Sequence, residues 1–266
     1  GTTSGTTSGT TLCGTGETAT GQAAPAPPRR MGHDAGMLIL AHRGAHAPES
    51  PGIRENTLDA FRAAADRGAD GVEFDVRRAA DGVLVVHHDA AVPGGPPIAS
   101  VRSADLPRWL PTLEEALDAC AGLALVNVEI KNSPFEAGFD DRHGIAAAVA
   151  ERLALGRRAS ELVVSSFNLA TLDAVRVVAP EVATAWLTMP ASDQRAAVAT
   201  AAAAGHRAVN PPDPAVRADL VVAAHAAGLR LGVWTVNDAD RMAVLAEWGV
   251  DVLISDRPAL AATVLR

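Results

Sequence analysis

The sequence predicts an α/β protein whose eight parallel strands close into a (β/α)8 barrel, with a β-hairpin appended after the second strand. Three observations carry this. The chain has 266 residues and is 48% hydrophobic, enough for one large core, and barrels of this kind commonly fill about this length as one domain. From residue 37 onward, short β-rich runs alternate with Ala-rich amphipathic stretches, as parallel strands and crossover helices do. Eight such pairs fit between residues 37 and 266, the repeat number of the barrel. An open doubly wound sheet shares the alternation, because pattern alone does not show closure.

The elements follow in order. Strands are expected at 38–41, 71–76, 123–130, 162–166, 183–187, 208–210, 231–236 and 252–255. Helices are expected at 57–67, 113–120, 145–155, 169–178, 193–204, 216–227, 241–248 and 259–265. The first helix starts behind Asn56, a good N-cap, with Asp59 three residues on in a capping-box-like pattern. The last follows Pro258, which suits a helix start. A ninth strand, 83–87, comes too soon after the second for a crossover, and Asp81-Gly82 between them is a turn signal. The pair is therefore an antiparallel hairpin. With the turn centred there, His88 falls opposite Asp75 at the barrel mouth.

Residues 1–36 differ. Repeated Gly, Thr and Ser, then a Pro-rich run ending in Arg29-Arg30, offer too little apolar surface to order a chain. They read as a low-complexity, disordered tail before a barrel domain at 37–266, with Met31 and Met37 as candidate starts. No basic segment precedes an apolar one, so neither a secretory signal nor a lipoprotein reading of Leu12-Cys13 stands. No run of about 20 apolar residues predicts membrane insertion. The net charge of −8, without a Lys/Arg-rich run, argues against nucleic acid. Two cysteines cannot make a disulfide framework. A cytoplasmic location is the expectation, and oligomeric state stays open. Of the 23 basic residues, Lys131 is the single lysine.

Barrel active sites lie at the C-terminal strand ends. There the sequence places His42-Arg43-Gly44, Glu73 and Asp75, His87-His88-Asp89, Glu129-Ile130-Lys131, Trp234 with Asn237, and Asp256-Arg257. Glu73 and Asp75, two apart on a strand, share a face, and Glu129 on the next barrel strand adds a third carboxylate. Three interior carboxylates cannot all ionise without compensation. A hard divalent cation, Mg²⁺ or Ca²⁺, supplies it; ion pairs shared among Arg43, Arg77 and Lys131 are the structural alternative. His42 and His88 each adjoin a charged residue and suit general acid–base work on a phosphoryl group. His87 alternates away from His88. Arg43 offers phosphate a planar fork and Lys131 a point charge. His46, His143, His206 and His225 read as ordinary loop, surface or capping residues.

Ordered motifs then carry a resemblance. Ala41-His42-Arg43-Gly44, Glu55-Asn56-Thr57, Gly71-Val72-Glu73-Phe74-Asp75-Val76, His87-His88-Asp89, Glu129-Ile130-Lys131, Trp234-Thr235-Val236-Asn237 and Ser255-Asp256-Arg257-Pro258 are similar to the glycerophosphodiester phosphodiesterase family. The resemblance implies a TIM barrel of the PLC-like phosphodiesterase type that hydrolyses glycerophosphodiesters to sn-glycerol 3-phosphate and an alcohol. It implies His42 and His88 as the acid–base pair and Glu73, Asp75 and Glu129 as metal ligands. Arg43, Lys131 and Trp234 would bind substrate. The sequence departs from the family after Asp89, where Ala90-Ala91-Val92-Pro93 replaces the usual Arg- and Thr-containing segment. The loop at 45–54 is expected to supply part of the missing cover. Two rivals remain: a lysophospholipase D-like enzyme, disfavoured because no exposed apolar loop is evident near the site, and a non-catalytic barrel that binds phosphorylated ligands.

Overall fold

The computed structural model describes residues 36–156 and 159–266, with residues 1, 2 and 5. The expected tail, including Cys13, falls almost wholly outside the described residues. Nine strands form one sheet: β1 (Leu38–His42), β2 (Gly71–Arg78), β3 (Leu84–Val86), β4 (Leu125–Ile130), β5 (Leu162–Ser166), β6 (Ala183–Leu187), β7 (Ala208–Asn210), β8 (Arg230–Val233) and β9 (Val252–Ser255). Eight pair in parallel in the order β1-β9-β8-β7-β6-β5-β4-β2, and β2 pairs back onto β1. The barrel is closed, so the open-sheet alternative falls. β3 joins β2 in antiparallel fashion, the hairpin the spacing required.

The helices are α1 (Leu58–Asp66), α2 (Leu113–Ala119), α3 (Gly144–Leu155), α4 (Leu169–Val178), α5 (Gln194–Ala204), α6 (Ala218–Ala226), α7 (Ala239–Glu247) and α8 (Pro258–Leu265). All eight stand where the periodicity put them, within a few residues. Outward strand residues such as Val72, Phe74 and Val128 pack with helix residues Phe61, Leu113 and Val149 to form a core between sheet and helices. A smaller interior core holds Leu38, Leu40, Leu125 and Ile254. Burial on both sheet faces explains why the strands read as nearly continuous apolar runs.

Three details differ from expectation. The N-cap of α1 is Thr57, whose hydroxyl accepts from the Ala60 amide, which frees the Asn56 side chain for another task. The hairpin register sets Val76 opposite Val86 and brings the His87 amide to the Asp75 carbonyl at 3.0 Å. Thus His87, not His88, falls opposite Asp75: the turn sits one residue away from its expected centre. The strand expected at 231–236 ends at Val233, beyond which Trp234 bridges to Pro212.

Candidate active site

The C-terminal ends of β1, β2 and β4 bring three carboxylates together. Ligand atoms of Glu73, Asp75 and Glu129 lie within 4.8 Å of one another, and all three residues are buried. β1 and β2 run side by side with His42 paired to Glu73, and β2 and β4 with Asp75 paired to Glu129. Parallel alternation aims these side chains into the barrel.

Positive charge surrounds them. Lys131 Nζ lies 2.7 Å from Glu129 Oε1 and 3.2 Å from Asp75 Oδ1. Arg43 Nε is 3.5 Å from Asp75 Oδ2, its Nη1 donates to Glu55 Oε1 at 2.9 Å, and its amide donates to Glu73 Oε2 at 3.2 Å. Arg43 has a φ of 57° and Gly44 of 82°. A Cβ on Gly44 would come within 2.7 Å of Ala60, so only glycine lets this loop rest on α1. Both basic residues therefore face the site, paired with carboxylates.

The charges do not balance within the cluster. Burial pushes Glu73 well above the usual carboxylate range, and repulsion from Asp75 and Glu129 adds to it. Burial likewise raises Glu129, Lys131 only partly opposing it. Burial also opposes ionisation of Asp75, but Lys131, His88, Arg43 and a hydrogen bond from Asn56 outweigh it and hold Asp75 well below its ordinary value. Glu73 Oε1 is buried and has no hydrogen-bond partner. An unpartnered carboxylate oxygen among hard oxygen donors fits a divalent cation.

Two imidazoles flank the cluster. His42 Nδ1 is 2.6 Å from Asp256 Oδ1, and its Nε2 is 3.9 Å from Glu73 Oε2. His88 Nδ1 is 2.7 Å from Asp89 Oδ1. Burial pushes His88 down, with Lys131 and Arg43 adding to this against the pull of Asp75 and Asp89. Despite the shifted register, His88 reaches the site because β3 ends at Val86 and the chain turns. The Arg77 guanidinium then grips the His88 carbonyl at 2.9 and 2.5 Å while pairing with Glu136 at 2.7 Å. His87 instead sets its ring edge-on to Trp109, centroids 5.7 Å apart.

His42, Arg43, Glu73, His88, Glu129, Lys131 and Trp234 line one cavity of about 700 Å³. Trp234 is half-buried; its indole donates to the Asn210 carbonyl at 2.8 Å and meets Phe167 edge-on. The opposite wall is apolar, and its rim carries Phe135, 95% exposed, and Met189, 56% exposed. The sequence showed no exposed apolar loop there; the structure supplies one after β4. The loop at 45–54 does not line the cavity. It braces elsewhere, with Glu49 accepting from the first amides of α8.

Four residues of the site went unrecognised in the sequence. The sequence suggests a cap at Asn56, yet its Nδ2 donates to Asp75 Oδ2 at 2.8 Å. Asp256 and Asn237 stand at strand ends, where their spacing alone implies no role. Asn237 donates to Asp256 Oδ2 at 2.7 Å, and His46, read as an ordinary loop residue, lies 3.6 Å from Asp256 Oδ1. Burial opposes ionisation of Asp256, but the hydrogen bond with His42 and the nearby His46 and Asn237 outweigh it and keep the group far below its usual range. The φ of 55° at Asn56 is a tertiary feature that no local pattern announces.

A closed (β/α)8 barrel with acidic, basic and two carboxylate-tied imidazole side chains gathered at its strand C-termini is the class of barrel whose mouth is the place for a polar active site. The chain belongs to the Glycerophosphoryl diester phosphodiesterase family, which matches residues 42–260. It is 28% identical over 247 residues to a glycerophosphodiester phosphodiesterase of Caldanaerobacter subterraneus subsp. tengcongensis, covering 83% of this chain and 94% of that one. A solved glycerophosphodiester phosphodiesterase of Thermotoga maritima superposes with a TM-score of 0.71 at 25% identity, covering 87% of this chain and 99% of that one. An Oleispira antarctica phosphodiesterase, solved with its product sn-glycerol-3-phosphate, shares the fold with a TM-score of 0.75 at 24% identity, covering 85% of this chain and 96% of that one.

Proposed function

We propose that the chain hydrolyses glycerophosphodiesters to sn-glycerol 3-phosphate and an alcohol, with His42 and His88 moving the protons. One observation carries this reading: two imidazoles, each tied through Nδ1 to its own carboxylate, line the same cavity as Glu73 and Glu129 of the carboxylate cluster. Glu73, Asp75 and Glu129 would hold Mg²⁺ or Ca²⁺. A cation held there would draw charge from the non-bridging phosphate oxygens. Arg43 and Lys131, released in part from their carboxylate partners, meet the phosphate and stabilise the charge that develops in the transition state. One imidazole takes the proton of the attacking oxygen, from water or from the glycerol 2-hydroxyl. As the phosphorus–alcohol bond breaks, the other gives a proton to the leaving oxygen. Attack by the 2-hydroxyl leaves a cyclic phosphate, which water then opens.

The test is a coupled assay for glycerol 3-phosphate release from glycerophosphocholine, with and without chelator. His42→Ala and His88→Ala should each lose about 10²-fold or more of kcat. EDTA should abolish turnover and added divalent cation restore it. Wild-type-like rates in both variants would sink the assignment.

The exposed Phe135 and Met189 at the rim favour a second reading, lysophospholipase D-like, in which the glycerol that keeps the phosphate carries an acyl chain. Comparable release of choline from glycerophosphocholine and lysophosphatidylcholine would support it, and turnover of the first alone would exclude it.

A further inference from the structure

Bulky apolar side chains are unevenly spread inside this barrel. β1, β4 and β9 contribute Leu38, Leu40, Leu125 and Ile254, the bulky residues that usually pack such interiors. β6, β7 and β8 contribute Ala183, Ala185, Ala208 and Gly232 instead, the Asn210 side chain lying over Gly232, and beside them is a cavity of about 320 Å³. That is the lower end of the range for small-molecule sites, about 300 to 1,000 Å³. It lies toward the N-terminal ends of the strands, away from the catalytic mouth. Its walls are mostly apolar. Among the described residues, the charged ones lining it are Arg207 and Arg230, and no carboxylate lines it. Arg207 is exposed and stands just before β7, while Arg230 opens β8, so both guanidinium groups belong to the outer end. At the inner end Asn127 is 2% exposed and lines both this cavity and the catalytic one. Its Oδ1 has no hydrogen-bond partner.

We propose that this cavity is a second ligand site, which takes an unbranched carboxylate of moderate chain length from the N-terminal end of the barrel. The apolar walls exclude water from the chain. A guanidinium fork matches a carboxylate head. The unsatisfied Asn127 carbonyl makes a polar floor that limits the chain's length. A quaternary ammonium head would meet like charge at the same rim. Neither the catalytic cluster nor the hydrolysis takes part in this site.

Thermal unfolding of the full chain with decanoate, below its micellar concentration, tests the site against decyltrimethylammonium. Decanoate should raise Tm saturably. Ala208→Leu, which fills the cavity, and Arg207→Glu, which reverses charge at its mouth, should each weaken half-saturation by about tenfold or more. Both should hydrolyse glycerophosphodiesters at the wild-type rate. Ala185→Val serves as a second filling variant if Ala208→Leu does not fold. The site is overturned if decanoate leaves Tm unchanged, if a folded filling variant keeps the full response, or if decyltrimethylammonium gives a rise that filling abolishes. Binding is read without turnover, so a failed activity assay would count against the catalytic reading alone.

Discussion

Each imidazole at the barrel mouth has its Nδ1 engaged by a carboxylate, Asp256 for His42 and Asp89 for His88. In the proposed mechanism, a proton held at Nδ1 leaves Nε2 as the atom that takes or gives a proton. The two supports differ. Asp256 is itself held by Asn237 and lies close to His46, whereas Asp89 is largely exposed. Asp256→Asn should therefore lower kcat by about 10- to 100-fold with little change in KM, and Asp89→Asn by less; steady-state kinetics on both variants checks the order. Asn56 acts on the acidic cluster by the same logic. It holds Asp75 from two sides, donating to its carboxylate and accepting from its amide. Asn56→Ala should raise the half-activating cation concentration by about 10- to 100-fold, read from a metal titration of activity.

Among the elements, β2 has the most demanding position, since it pairs with β1, β3 and β4. It begins at Gly71, where a Cβ would come within 2.0 Å of the Leu125 carbonyl oxygen. No side-chain rotation relieves a contact with backbone. Gly71→Ala should therefore pry β2 from β4 and cost about 3 kcal/mol or more, measured by denaturant unfolding. Another buried group makes stability depend on pH. His206, at the end of α5, has Nδ1 2.9 Å from the Thr184 hydroxyl of β6. Burial lowers its pKa, Arg176 adding to this against the pull of Asp173. The unfolded chain then takes up a proton as pH falls through about 6.5, while the folded chain does not. This contribution to stability is whole above that pH and declines below it, until the folded group also titrates. His206→Gln should flatten the fall between about pH 6.5 and 5, seen in urea unfolding at a series of pH values.

The whole molecule gathers acids from three strands and offsets them with Lys131 and Arg43, leaving Glu73 and Glu129 displaced toward neutrality. A cation that binds the folded cluster and not the unfolded chain must stabilise the fold, by about 2.7 kcal/mol at a hundred times its Kd. Millimolar Mg²⁺ or Ca²⁺ should raise Tm, EDTA should reverse the rise, and Asp75→Ala should abolish it. Among the described residues no helix is long and apolar enough to cross a membrane.

Much of this was legible in order of residues. Alternating β and α runs determined the eightfold repeat, because a buried strand and an amphipathic helix leave different periods. The spacing of Glu73 and Asp75 determined their common face, because strand side chains alternate. The short link at Asp81-Gly82 determined a hairpin. Closure of the barrel belonged to the tertiary structure, since pairing of β1 with β2 and β9 joins segments far apart in the chain. So did the partnership of His42 with Asp256, across 214 residues, and the transfer of Asn56 from helix cap to carboxylate support. The one-residue slip of the hairpin, the apolar rim built by Phe135, and the cavity beside β6 to β8 were likewise decided there. Local patterns report which face a residue takes. Only packing in three dimensions decides what it meets on that face, because each such contact closes a loop whose entropy is repaid by the whole fold.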